Sequence, residues 1–214
     1  MTRAQRWLFS ILVLAGFAAL VPAGAARAEI VKGTLTFGNL AFADTATLLF
    51  GADATPVNAP TVEMCVTGSD LSTYIQGFYD NEIIRITFED NWIVNEPGDD
   101  LVVFEVGNSL SADTFEVAID PGGGALPDYQ EYTPVYQGAI DGAPTNAALV
   151  DLTDLGVADD AVVTELLIRS ADTNEVELSG VGALHGAPEP ATLLLLASGA
   201  GLGLRMGRRR RRRR

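Results

Sequence analysis

Residues 29–184 are written in short runs of alternating apolar and polar residues, separated by turn formers roughly every 8–12 positions. A period of two sends successive side chains to opposite faces of an extended strand, and no amphipathic helix tolerates it. Over 82–88, Ile84, Ile86 and Phe88 fall opposite Ile83, Arg85 and Thr87. Over 114–119, Phe115, Val117 and Ile119 fall opposite Glu116 and Ala118. Over 30–37, Val31, Leu35 and Phe37 share one face, with Lys32, Thr34 and Thr36 on the other. Residues 101–106 are almost continuously apolar, as a strand covered on both faces would be. Runs at 162–169 and 176–184 complete the main set. Weaker strands are expected at 62–66, 132–136 and 147–152, and residues 44–60 read as a loop or an early lateral strand.

The punctuation agrees. Segments 97–100, 120–124, 141–144 and 172–174 concentrate Pro, Gly, Asp and Asn, each suited to the dihedral angles of a turn. No helical periodicity of useful length appears within this block, so its predicted class is all-β, a two-sheet β-sandwich or jelly roll. One Cys and one His in 214 residues exclude a disulfide framework and a zinc site built from Cys and His.

The net charge of −14 is divided into three blocks. Residues 1–28 carry three arginines and no acid, whereas 29–187 carry 27 acids against Lys32, Arg85 and Arg169. Residues 188–214 carry Glu189 against eight arginines, seven of which close the chain. So acidic a central block repels polyanions, and no nucleic acid is expected as a partner. At the N-terminus, Arg3 and Arg6 precede the apolar run 7–20, and Ala26-Arg27-Ala28 places small residues at the −3 and −1 positions of a cleavage site. This is the layout of a secretory signal peptide over 1–28, read by the Sec translocon; an uncleaved anchor is the alternative. At the C-terminus, Pro188-Glu189-Pro190 precedes an apolar stretch and the arginine block. Fourteen residues, 191–204, reach ~21 Å as a helix against a hydrocarbon core of ~30 Å, and snorkelling by Arg205 extends the expected transmembrane helix to 191–206. The arginines then stay cytoplasmic.

Tripeptide, short Leu/Gly/Ala helix and arginine tail together resemble the PEP-CTERM sorting signal of Gram-negative bacteria, over residues 187–214. The resemblance implies recognition by an exosortase-type membrane transpeptidase that cuts near Pro188, Glu189 and Pro190, after transient inner-membrane anchoring. It implies an exported surface or matrix protein in an exopolysaccharide layer or biofilm, without enzymatic activity. Ala187 stands where Val is usual; an ordinary anchor with a Pro-rich stalk is the alternative. Residues 86–105 and 167–185 resemble segments of PEP-CTERM ectodomains, which are similar to discoidin-type, galactose-binding-like β-sandwiches. This implies a carbohydrate-binding module, or a glycan-active enzyme, as the other functional reading of the ectodomain at 29–186. The chain departs at 177–180, where an acidic element is usual, so no metal or ligand role is carried over to that strand.

Two candidate sites follow from residue chemistry. Glu96, Asp99 and Asp100 place three carboxylates in one tight turn, the oxygen-rich donor set that Ca²⁺ takes; a solvated acidic turn is the alternative. Glu89-Asp90 and Asp159-Asp160 are similar pairs. Trp92, Tyr132 and Tyr136, with Tyr74, Phe78, Tyr79 and Tyr129 nearby, offer faces for stacking on sugar rings, unless they are core residues. Cys65, between Met64 and Val66, reads as a buried small hydrophobe, and His185 as structural.

Overall fold

The computed structural model describes residues 29–188 apart from 39–40, 52, 80–81, 108–111, 121–126 and 172–174. Ala26, Ala28, Glu189, Pro190, both apolar end segments and the turns at 121–124 and 172–174 lie outside the described residues. Among the described residues no helix is long and apolar enough to cross a membrane.

Two antiparallel sheets face each other. The five-stranded sheet runs, in spatial order, β10 (Gln130–Tyr132), β9 (Phe115–Ile119), β14 (Glu165–Ser170), β6 (Ile83–Thr87) and β3 (Thr45–Phe50). The four-stranded sheet runs β11 (Val135–Ile140), β12 (Ala143–Val150), β8 (Leu101–Val106) and β15 (Leu178–Ala183). Ile84, Ile86, Phe115, Val117, Leu166 and Ile168 from the first meet Leu101, Val103, Ala148, Val150 and Val181 from the second in one buried core. Alternation in the sequence is therefore the alternation between that core and the outer faces, and an all-β sandwich is what forms.

Strand β8 is buried on both sides, as its unbroken apolar run requires. Its other face, Val102 and Phe104, lies under a second cluster containing Phe37, Phe42, Leu71 and Ile140. Phe37 comes from a hairpin, β1 (Glu29–Lys32) and β2 (Leu35–Gly38), where the expectation was one strand over 30–37. Gly33, at φ +59°, supplies the left-handed turn. Pairing Ile30 with Phe37 and Lys32 with Leu35 turns Val31 outward, 62% exposed, away from the face shared by Leu35 and Phe37. On β15, Gly182 is what lets Phe37 approach: a Cβ there would stand 3.0 Å from the Phe37 ring.

Three of the expected strands are corrected. Residues 62–66 form an α-helix, α1 (Val62–Val66), because the Thr61 hydroxyl accepts from the Met64 N–H and Glu63 sits in the first turn. The run 132–136 is broken at Thr133-Pro134, where proline has no N–H to donate, and β10 and β11 join opposite sheets. The run 162–169 likewise divides: β13 (Val162–Val163) pairs with β7 (Asn91–Val94), while β14 enters the five-stranded sheet. In 44–60 two strands form, β3 and β4 (Thr55–Val57), the latter paired with β5 (Tyr74–Gln76). The turn at 141–144 is a two-residue hairpin loop, Asp141 and Gly142 at φ 52° and 87°, matched to strand twist. Finally, β16 (Gly186–Pro188) pairs with β7, placing Pro188 opposite Asn91 and extending the folded unit two residues past 186.

Candidate functional site

The acidic turn does not assemble as a cation site. Asp100 is fully buried, and its carboxylate is occupied by protein donors: Oδ1 accepts from the Glu96 N–H at 2.8 Å, and Oδ2 from the Leu152 N–H at 2.9 Å. His185 Nδ1 lies 3.2 Å from the same Oδ1. Glu96 and Asp99 point to solvent. The carboxylate thus ties the turn before β8 to the 3₁₀ segment Leu152–Leu155 and to the chain after β15, a structural role for both Asp100 and His185.

Nor do Trp92, Tyr132 and Tyr136 share a face. Trp92 is half-buried on β7, Tyr132 half-buried on β10, and Tyr136 exposed on β11, in three different sheets. Tyr132 turns inward against Phe115, ring centroids 6.5 Å apart, and burial pushes its hydroxyl up to about 12. Phe78 and Cys65 are core residues, and burial raises the Cys65 thiol.

What the fold does bring together is a group the sequence reading left scattered. Oxygens of Glu105, Asp113 and Glu177 all lie within 4.8 Å of one another. Among the described residues this is the one such group of three. Glu105 shares the inward face of β8 with Leu101 and Val103, and it is completely buried. Asp113 precedes β9 and Glu177 precedes β15, both half-buried. Glu105 accepts from Asn146 Nδ2 at 3.0 Å and from the Asp113 N–H at 3.2 Å. Burial, above all, pushes Glu105 up to about 7, against those two hydrogen bonds and with help from the Asp113 and Glu177 charges. Burial, then the charges of Glu175 and Asp113, pushes Glu177 up to about 7. The signal for Glu105 was legible: an acid at the inward position of an apolar strand. Its partners were not, since they come from other strand ends.

The sign of the pH effect is set by these raised values. A carboxyl that holds its proton more tightly when folded stabilises fully below about 4.5, and that stability is lost as pH rises through about 7. In chelator, the urea midpoint of the wild-type chain therefore falls between pH 5 and pH 8 more than that of Glu105→Gln. Parallel profiles for the two proteins would contradict this.

A groove of about 580 Å³ crosses the outer face of the five-stranded sheet. Its apolar floor is Leu49, Phe50, Ile83 and Leu167, and Asp120, Asp128, Tyr129 and Arg169 stand along it. The Arg169 guanidinium stacks 3.9 Å from the Tyr129 ring centroid and pairs with Glu116. Arg85, one strand over, pairs with Asp120 at 3.1 Å and Glu165 at 3.0 Å. The Tyr129 hydroxyl is buried without a hydrogen-bond partner, and burial raises it despite the opposing Arg169 charge. Of these residues only Tyr129 was singled out in the sequence. The available signal was the arginines: two of the three Lys and Arg residues of 29–187 fall at outward strand positions.

No protein-family model matches the chain, and no curated protein does. Among solved structures the chain is similar to "CBM32 of AlyQ in complex with 4,5-unsaturated mannuronic acid", at 14% identity and a TM-score of 0.34, over 66% of this chain and 96% of that chain.

Proposed function

We propose that the chain is an exported, non-enzymatic surface protein whose galactose-binding-like sandwich binds a neutral or weakly charged glycan in the groove of the five-stranded sheet. One observation carries the reading: an apolar floor bordered by carboxylates, a guanidinium and an orphan phenol hydroxyl. The apolar face of a sugar ring rests on such a floor, its hydroxyls donate to Asp120 and Asp128, and Arg169 donates to its ring or exocyclic oxygens. The Tyr129 stack and the Glu116 ion pair hold the guanidinium in place before the ligand arrives.

Export and sorting complete the proposal. The Sec translocon takes the chain through its first 28 residues, and an exosortase-type transpeptidase cuts at the Pro188-Glu189-Pro190 tail. Pairing of Gly186–Pro188 with β7 places the start of the tripeptide at the last strand of the folded unit. The product resides at the cell surface or in the exopolysaccharide layer.

Glycan-array and polysaccharide pull-down measurements test the binding role. The wild-type chain retains a glycan, and Arg169→Ala weakens it at least tenfold, about 1.4 kcal/mol or more, while Trp92→Ala and Tyr136→Ala leave it unchanged. Equal binding by Arg169→Ala removes the groove from the account, and retention of no glycan removes the function. Intact mass of protein from the native host tests the route: it corresponds to loss of residues 1–28 and of the segment beyond the tripeptide, and recovery of all seven closing arginines contradicts it.

A further inference from the structure

The backbone of β3 turns Phe50 outward. Its pairing with β6 runs in register from Thr45 opposite Thr87 to Leu48 opposite Ile84, then slips, so that Phe50 and not Leu49 stands opposite Ile83. Leu48 and Ile84 pack in the core between the sheets, and Ile83 lies on the outer face. Under strict alternation Leu49 would point outward and Phe50 would follow Leu48 inward. The extra residue sets Leu49 and Phe50 on the outer face together, the re-aiming that a β-bulge performs. Both line the groove, and Phe50 is 64% exposed.

The segment just past the bulge is pinned. Gly51 follows at φ +130°, where side-chain-bearing residues are rare, and a Cβ there would stand 2.3 Å from Glu82 Oε1. Glu82 is buried immediately before β6, and its carboxylate accepts from three backbone N–H groups. Those of Asp53 and Ala54 reach Oε1 at 3.1 and 3.2 Å, and that of Tyr79 reaches Oε2 at 3.1 Å. Bonds from a charged acceptor hold the chain more firmly than neutral ones do. A ring this exposed adds little to the core, yet the backbone around it is built to keep it on the groove.

The groove is long as well as apolar. It runs from Phe50 on β3, over Ile83 on β6 and Leu167 and Arg169 on β14, past Asp120 after β9, to Tyr129 before β10. Four steps between strands at ~4.8 Å make ~19 Å, and one step is close to the length of a pyranose unit in a linear chain. Phe50 pairs with Ile83 and Ile83 lies beside Arg169, so the first and last stand two strands, ~10 Å, apart. The Arg169 guanidinium leans the other way, onto Tyr129. A single sugar ring held by Arg169 therefore leaves Phe50 uncovered. Charge narrows the class further: Glu116, Asp120, Asp128 and Glu165 stand against two guanidiniums, and both of those are already paired. An anionic glycan meets an excess of its own sign here.

We propose, resting on the glycan reading of this groove, that it takes a neutral linear glycan through about three or more consecutive units, with the unit farthest from Arg169 stacked on Phe50. Calorimetric titration of the full-length chain tests this, using glucose, mannose, xylose and galactose, the linear di- to hexasaccharides of each, and hexagalacturonate as the anionic probe. At least one neutral series binds, its affinity rising up to three units or beyond and ending at least tenfold above that of the monosaccharide. Phe50→Ala lowers the hexasaccharide affinity about tenfold and leaves that of the monosaccharide unchanged, and Phe50→Trp restores it. The urea midpoint of both variants matches the wild type, because the ring is exposed. Equal affinity for one unit and six, or a hexasaccharide affinity untouched by Phe50→Ala, overturns the proposal; sensitivity to Arg169→Ala in that case leaves the glycan reading standing. Tighter binding of hexagalacturonate than of every neutral hexasaccharide also overturns it. Binding of no sugar in the panel overturns it together with the glycan reading.

Discussion

Asp100→Ala lowers stability by about 3–5 kcal/mol, roughly 10 °C in Tm, the cost of leaving buried backbone donors without acceptors. The Glu96 and Leu152 N–H groups both lose their acceptor, and His185 loses its partner. The Asp100 side chain has no exposed surface, so bulk solvent does not touch these donors in the folded chain. Asp99→Ala, one residue earlier and exposed, changes stability by less than ~0.5 kcal/mol. Urea denaturation of the two variants separates them. A loss below ~1 kcal/mol for Asp100→Ala would show that the carboxylate is not the tie between the turn, the 3₁₀ segment and the chain after β15.

Phe104→Ala has a comparable effect through a different cause. Its ring lies 6.0 Å from Phe37 and 6.4 Å from Phe42, centroid to centroid, in the second core beneath the β1–β2 hairpin. Removing it leaves a cavity that the flanking sheet cannot close, at a cost of ~3–5 kcal/mol. The hairpin depends on that contact, so its backbone amides lose hydrogen-exchange protection before those of β6 and β14 do. Val31→Ala, on the exposed side of the same hairpin, alters stability by less than ~0.5 kcal/mol. Uniform loss of protection across both sheets would show that the second core is not a separate unit.

How much was legible depends on the range of the interaction. Period two identified β6 and β9 with their inward residues, because burial on one face leaves its mark on every second residue, and an unbroken apolar run identified β8, which is covered on both faces. Local signals also existed where the reading went astray. Thr61 three residues before Met64 is a helix cap, and Gly33 between two apolar pairs is a hairpin turn. The candidate sites behaved differently. The Glu96, Asp99 and Asp100 turn has the composition of a calcium loop, but the inward side chain spends its lone pairs on backbone donors that arrive from residue 152, which no spacing discloses. Tyr132 and Tyr136 stand four residues apart yet lie in different sheets, because the chain changes layers between them, and Trp92 lies in a third.

Strand content, turn positions, the charge division into three blocks and the layout of both ends follow from neighbours along the chain, where propensity, periodicity and net charge act over a few residues. Which strands pair is a matter of long-range ladders that close only when the chain is folded. For that reason tertiary structure alone brought Glu105, Asp113, Asn146 and Glu177 to one end of the inter-sheet space, and Phe50, Tyr129 and Arg169 to one groove. Each of these groups is drawn from three or four separate strands or strand ends, and its chemistry exists only at the separations that packing imposes.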